Sequence, residues 1–327
     1  MNFNHFLGNE KVKEQISFLL HSNRLPHAII LEGESGIGKR TLAREIAAAL
    51  VCRSGGDKPC YECTQCQKAE KGYHPDIFEY KPKGGARSFH VDTVRNVIND
   101  VYVAPNEADY KVYILCNAHF MNESAQNALL KVLEEPPSYA VFILTVENKS
   151  AMLETVLSRS VVLSLEGVDA NSGAELIANH NEDIDFSTAL EAVIAFKGNI
   201  GRAEESIAGG EMQKTIEFVN NICKALVADN EYELIKSTAK LSGRNEISTV
   251  LNLLKSVFRD AVIGSKTGEY LSGREDAVKA LSRKFTDAMI IRLYNTADEL
   301  ILMANKNANP ALLITKICYS LRNAIDL

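Results

Sequence analysis

Nine residues near the start of the chain, Gly33 to Thr41 (GESGIGKRT), restrict its architecture more than any others. Four residues separate Gly33 from Gly38, and Lys39 follows, which is the spacing of a phosphate-binding loop. Glycines at Gly33, Gly36 and Gly38 let backbone N–H groups converge on phosphate oxygens, and the N-terminus of the next helix adds a favourable field. Such a loop needs a buried strand before it and an amphipathic helix after it. Ala28-Ile29-Ile30-Leu31 supplies the apolar run. Thr41 to Val51 places Leu42, Ile46, Ala49 and Leu50 on one helical face. Two further apolar strands, Val112 to Leu115 and Val141 to Val146, flank a helix at Ser124 to Glu134 that stops at Pro136-Pro137. This alternation predicts an α/β P-loop domain, a mostly parallel sheet with helices on both faces.

The loop is present but the residues that would let it hydrolyse ATP are not. The position after the lysine normally carries Ser or Thr to hold Mg²⁺; here it is Arg40, and Thr41 comes one place later. One residue turns a helix by about 100°, so Thr41 is expected to point away from the metal. The strand ending at Leu115 runs into Cys116 and Asn117, where a metal-holding Asp and a water-activating Glu belong. Mg²⁺ prefers hard oxygen ligands. A thiol is soft and mostly protonated at its ordinary pKa, and an amide is no general base. Three coincident losses predict a retained scaffold: Gly33, Gly36, Gly38, Lys39, Arg40 and Thr41 remain candidate nucleotide contacts, ATP or ADP binding is weak or absent, and intrinsic hydrolysis is not expected. His119 is expected to be a surface or packed histidine.

Of seven cysteines, Cys52, Cys60, Cys63 and Cys66 lie within fifteen residues as C-x7-C-x2-C-x2-C. Thiolates two residues apart can share one tetrahedral Zn²⁺, and four close its coordination shell, so the expected metal is structural, one per chain. Gly55-Gly56 and Pro59 supply turns between the ligands. His74 is a possible substitute ligand, although Gly72-Tyr73-His74-Pro75-Asp76 reads more simply as a turn. Cys116, Cys223 and Cys318 sit in apolar patterns and are expected in the core. A net charge of -6 argues against an autonomous DNA-binding protein. Met1 to Leu20 shows no secretory signal, and no apolar run approaches the roughly 20 residues a bilayer demands. A cytoplasmic location is expected.

Near Leu163 the pattern changes, and no convincing buried strand follows. Val168 to about Ile207 reads as small helices broken by Gly198 and Gly201, Gly209-Gly210 as a hinge, and Glu211 onward as a bundle of about five helices.

The glycine loop, the four-cysteine insertion directly after its helix, Arg24-Leu-Pro-His-Ala28, and Ser124-Ala-Gln-Asn-Ala-Leu-Leu-Lys-Val-Leu-Glu-Glu-Pro-Pro137 together resemble the bacterial clamp-loader AAA+ family of DNA polymerase III. The degraded ATPase motifs are similar to those of its delta-prime branch. The resemblance implies an AAA+ domain with the zinc module (1–163), a helical lid (164–208) and an all-α collar that joins a five-subunit ring (209–327). It further implies motor subunits (gamma/tau) and a delta subunit as ring partners, a sliding clamp as the object handled, and primed-template DNA reached through the complex. The family carries a Ser-Arg-Cys motif, matched here by Ser158-Arg159-Ser160 with one departure at Ser160. By resemblance Arg159, with Ser158 beside it, is an arginine finger that acts on a neighbour's ATP. Hydrolysing members carry a sensor Arg in a Gly-Ser-x-Arg pattern; here Gly198-Asn199-Ile200-Gly201-Arg202 displaces it by one. Two rival readings are an active motor subunit of the same family, which Arg40, Cys116 and Asn117 disfavour, and a zinc-dependent nucleic-acid-binding module, which the acidic balance disfavours.

Overall fold

A computed structural model describes residues 1–327 apart from 23–24, 83–88, 90, 265–269, 271, 306–308 and 326–327. The expected match at Arg24 therefore lies outside the described residues. The chain divides into two compact units, Met1–Gly167 and Val168–Leu327.

In the first unit, β1 (Ala28–Glu32), β2 (Ile77–Tyr80), β3 (Lys111–Leu115), β4 (Ala140–Val146) and β5 (Val161–Ser164) form one parallel sheet in the order β2-β3-β4-β1-β5. The helices are α1 (Glu10–His21), α2 (Lys39–Val51), α3 (Thr64–Glu70), α4 (Val91–Val101), α5 (Glu123–Glu134) and the short α6 (Glu154–Leu157). The two-residue period of a strand sends neighbours to opposite faces. Ile29, Leu31, Val112, Ile114, Val141 and Ile143 pack with Val12 and Ile16 of α1 and Leu42 and Ile46 of α2. Ala28, Ile30, Tyr113, Leu115, Phe142 and Leu144 pack with α4, α5 and α6 through Val94, Val97, Leu129, Val132 and Val156. Covering both faces explains why the central strands read as continuous apolar runs. The edge strands β2 and β5 are only four residues long and largely half-buried; Glu79 interrupts β2 and the exposed Ser164 ends β5 after three apolar residues, so neither run is long enough to stand out in the sequence.

Helix α2 starts at Lys39 rather than at the expected Thr41. Gly38, at φ 94°, takes the left-handed conformation that ends the loop, and the helix begins on the next residue. In register, Leu115 lies opposite Tyr80 on one side and Leu144 on the other. The carboxyl ends of β1, β3 and β4 therefore deliver the glycine loop, Cys116 and Glu147 to one edge of the sheet, the usual ligand-binding edge of an open α/β sheet.

The second unit is helical among the described residues: α7 (Ala170–His180), α8 (Phe186–Ala195), α9 (Ile200–Ala208), α10 (Glu211–Val227), α11 (Glu231–Thr238), α12 (Gly243–Val262), then Glu275–Lys284, Asp287–Asn305 and Pro310–Ile325. One apolar cluster runs through it from Ala174 to Ile325. Six helices, not about five, follow Glu211 among the described residues. The short α11 escaped because Tyr232 and Ile235 face solvent and blur its apolar stripe. Gly201 breaks nothing: it sits in the first turn of α9, where the Asn199 side chain accepts the Arg202 N–H at 3.2 Å. Among the described residues no helix is long and apolar enough to cross a membrane.

Candidate functional site

A cleft of about 600 Å³ opens at the glycine loop, lined by Gly36, Gly38, Lys39, Arg40, Asn117 and Glu147 among others. Thr41 is among the lining residues too. Lys39 is 6% exposed, and its ammonium donates to the carbonyls of Gly33 and Glu34 at 2.6 Å each. Burial holds its pKa below the usual lysine value, partly offset by Glu147 and Glu34. The loop is thus closed on its own lysine. A Cβ on Gly38 would lie 3.1 Å from the Phe6 ring, so this glycine serves close packing as well as its backbone conformation.

The arginine that follows Lys39 is paired with an acid. Arg40 Nε donates to Glu79 at 2.6 Å, Arg44 donates to the other oxygen at 2.7 and 2.9 Å, and Lys81 lies 3.3 Å away. Glu79 comes from β2, not from the strand that normally supplies the acid. Burial opposes its ionisation, but bonds from Arg44 and Arg40 outweigh that and hold its pKa below the usual glutamate value. The Cys116 thiol sits 3.8 Å from the same carboxylate. Burial and then Glu79 push that thiol up to about 11, so it is protonated at neutral pH. Asn117 turns the chain at φ 55°, and its N–H donates to Thr145 Oγ1 at 2.8 Å. His119 packs against Phe120 with ring centroids 4.2 Å apart.

The four clustered cysteines do converge. The Sγ atoms of Cys52, Cys60, Cys63 and Cys66 all lie within 4.8 Å of one another. A tetrahedron of thiolates about 2.3 Å from Zn²⁺ has edges of ~3.8 Å, and the Cys60–Cys66 separation is 3.9 Å. Backbone N–H groups of Ser54, Cys63 and Cys66 donate to Cys52, Cys60 and Cys63 sulfurs at 3.4 to 3.5 Å, which favours thiolate. Burial pushes Cys52 and Cys66 up; at Cys63 burial is outweighed by N–H donors from Cys66 and Arg53, and its thiol falls to about 6. The donor set can hold a metal ion. His74 is not part of it: its Nδ1 accepts the Asp76 N–H at 3.0 Å and its Nε2 meets Gln65 Oε1 at 2.7 Å. Cys223 and Cys318 are buried in the helical unit, and burial pushes Cys223 up to about 12.

Arg159 stands elsewhere on the first unit, just after α6. Its guanidinium bonds Glu134 Oε1 at 2.8 Å, the Thr155 carbonyl at 3.0 Å and Ser158 Oγ at 3.4 Å. The Ser160 hydroxyl donates to the Val156 carbonyl at 2.8 Å, a bond that Cys in its place would make only weakly. Arg202, in the second unit, stacks on Phe196 with 5.1 Å to the ring centroid.

Residues 8–169 match the family described as DNA polymerase III, delta subunit. The gamma subunit of Buchnera aphidicola is 34% identical over 165 residues, 50% of this chain and 45% of the relative. The delta' subunit of Pseudomonas aeruginosa is 35% identical over 202 residues, 61% of each. Residues 8–169 belong to the clamp-loader family of DNA polymerase III subunits. The chain spans about half the length of the curated relatives it matches. A gamma subunit-related protein from Thermotoga maritima aligns over 94% of this chain and 99% of its own, at 18% identity and a TM-score of 0.37, too loose a likeness to bear on function.

Within this clamp-loader domain, three residues matter that sequence reasoning passed over. Glu79 pairs with Arg40 and Arg44 beside the loop. Glu134, inside the quoted helix motif, pairs with Arg159. Gln126, in the same motif and 3% exposed, donates to the Met121 and Ala151 carbonyls at 3.1 Å each and accepts the Leu153 N–H at 2.8 Å. That clamp fixes the segment leading into α6, and so the base from which Arg159 projects. A buried Gln in an otherwise apolar helix was the available signal; Glu79 and Glu134 gave none, because their partners are distant in sequence.

Proposed function

We propose that this chain is a delta-prime-type clamp-loader subunit, silent as an ATPase, that acts on the ATP of an adjacent motor subunit through Arg159. The observation that carries the reading is the Arg40–Glu79 pair beside Cys116 and Asn117. Where a hydrolysing member would hold Mg²⁺ between a hydroxyl and a carboxylate, this cleft holds a guanidinium. The gripping group is instead exposed at the end of α6, where a charged guanidinium can meet phosphate oxygens across a head-to-tail interface.

In this reading 1–163 is the AAA+ domain with a structural Zn²⁺ on the four cysteines, 164–208 the lid and 209–327 the collar. Partners are gamma/tau motors and delta in a five-subunit ring in the bacterial cytoplasm, which opens a sliding clamp on primed DNA. Any DNA contact of this chain would go to backbone phosphate. An active gamma/tau-like motor is the competing reading.

The test is ATP hydrolysis by the purified chain and by a loader reconstituted with its partners. The chain alone is expected to be inactive, and Arg159→Ala to leave it folded while cutting turnover of the loader about 10³-fold at the site it serves. Robust turnover by the isolated chain, lost on Lys39→Ala, favours the motor reading instead.

A further inference from the structure

We propose that Glu134 is a positioning residue for Arg159: its carboxylate parks the guanidinium and competes with the neighbouring subunit's phosphate for it. This rests on the reading of Arg159 given above. Helix α6 is four residues long, too short to stand alone, and Gln126 fixes its approach from inside α5. Glu134 is the last residue of the same α5. An anion at a helix C-terminus faces the negative end of the helix dipole, so local helix energetics do not favour a carboxylate there. The Arg159 cation offsets that field at 2.8 Å. One helix thus sets both the backbone and the side chain of the arginine.

The grip is weak enough to be exchanged. The Arg159 and Glu134 side chains are 36% and 51% exposed, and solvent-exposed ion pairs are weak and readily exchanged. Glu134 takes one NH2 contact, while NH1 is spent on a neutral carbonyl. A phosphate presents more charge and a bidentate edge that fits the guanidinium fork. Arrival of ATP in the adjacent subunit therefore transfers the guanidinium from carboxylate to phosphate. No bond is made or broken, and the parked state biases the finger without locking it.

The complete reconstituted loader tests this with Glu134→Gln, Arg159→Ala and the double variant, measuring steady-state hydrolysis against ATP concentration and the Kd of a non-hydrolysed ATP analogue. Glu134→Gln keeps the shape and removes the competitor. Its KM and Kd are expected to fall by roughly two- to fivefold with kcat unchanged, and the shift is expected to vanish in the Arg159→Ala background. Unchanged KM and Kd overturn the proposal, as does a shift that persists without Arg159, which would make Glu134 a general electrostatic neighbour. If Arg159→Ala itself leaves turnover and affinity intact, the finger reading fails and this proposal falls with it. Loss of Arg159 activity with a neutral Glu134→Gln sinks this proposal alone.

Discussion

The cysteine cluster and the glycine-loop cleft lie on the same unit, and both are loops that gather polar groups around one point. They differ in what the protein has left open. In the cluster every donor is soft, mutually within 4.8 Å, and turned to one point by backbone N–H groups. Nothing in the protein satisfies four converging sulfurs as well as a cation does. In the cleft the protein satisfies itself: Lys39 is bonded to loop carbonyls, and Glu79 to Arg40 and Arg44. A site that still needs its ligand should fail when one donor is removed. A site that has been closed from within should tolerate loss of a residue, and should resist repair by one.

The largest effect is therefore expected at Cys66→Ala. Cys66 is buried and its sulfur lies 3.9 Å from that of Cys60, so the change leaves three donors and an open coordination position. Loss of a structural metal belongs with the most destabilising single changes, above about 4 kcal/mol for the segment that depends on it. Wild-type chain should carry one zinc by mass spectrometry, and the variant far less, with residues 52–76 newly cleaved by protease. Stoichiometric zinc and an unchanged cleavage pattern in Cys66→Ala would erase the contrast between cluster and cleft.

A smaller effect is expected where the insertion is tied to the sheet. Asp76 is fully buried, and its two oxygens accept N–H groups of Asn106, Glu107 and Ala108 at 2.6 to 2.9 Å. Burial opposes its ionisation, but those donors outweigh it and hold the carboxyl below the usual aspartate value. The sign follows: the stabilisation is fully present above the unfolded pKa and is lost as pH falls through the lower folded one. Asp76→Asn turns an amide toward some of those donors and should cost about 1.5–3 kcal/mol near neutral pH in denaturant unfolding. Near pH 3 the penalty should shrink. Zinc content should not change, because Asp76 ties the module down without ligating it. A penalty that is flat with pH, or zinc lost along with stability, would show that module and tie are one site.

Much of this was legible in the sequence because it is written in local spacing. The loop at Gly33, the central strands and the cysteine set each depend on residues close in the chain, where glycine conformation, apolar runs and thiol spacing speak directly. The edge strands were not legible, because Glu79 breaks the apolar pattern of β2 and β5 is only three apolar residues before Ser164. What governs the cleft was not legible either. The Arg40–Glu79 pair spans 39 residues and Arg159–Glu134 spans two elements, and an isolated Glu or Arg in a sequence looks like solvated surface. Arg40 announced that a hydroxyl was missing; only the fold shows that its guanidinium pairs with Glu79.

The smallest effect, for the same reason, is expected at Arg40→Ser. The variant restores the hydroxyl after Lys39, yet Glu79 keeps Arg44 at 2.7 Å and Lys81 at 3.3 Å. The lost pair is exposed on the arginine side and should cost at most about 1 kcal/mol in unfolding. Cys116 remains a protonated thiol, and Asn117 remains an amide whose backbone N–H is held by Thr145 Oγ1. A divalent cation needs several hard oxygens at once, so one restored hydroxyl leaves it under-coordinated. MgATP affinity measured by calorimetry should rise by less than about tenfold, and hydrolysis by the isolated chain should stay at background. Adding Cys116→Asp to Arg40→Ser is the sharper form. Without metal it places a second carboxylate within about 4 Å of Glu79, a like-charge contact that weakens the fold. With Mg²⁺ the two acids become ligands, so the double variant should be stabilised by Mg²⁺ where the wild type is indifferent. If Arg40→Ser alone restored tight MgATP binding, the cleft would be one residue from function and no longer the counterpart of the cysteine cluster.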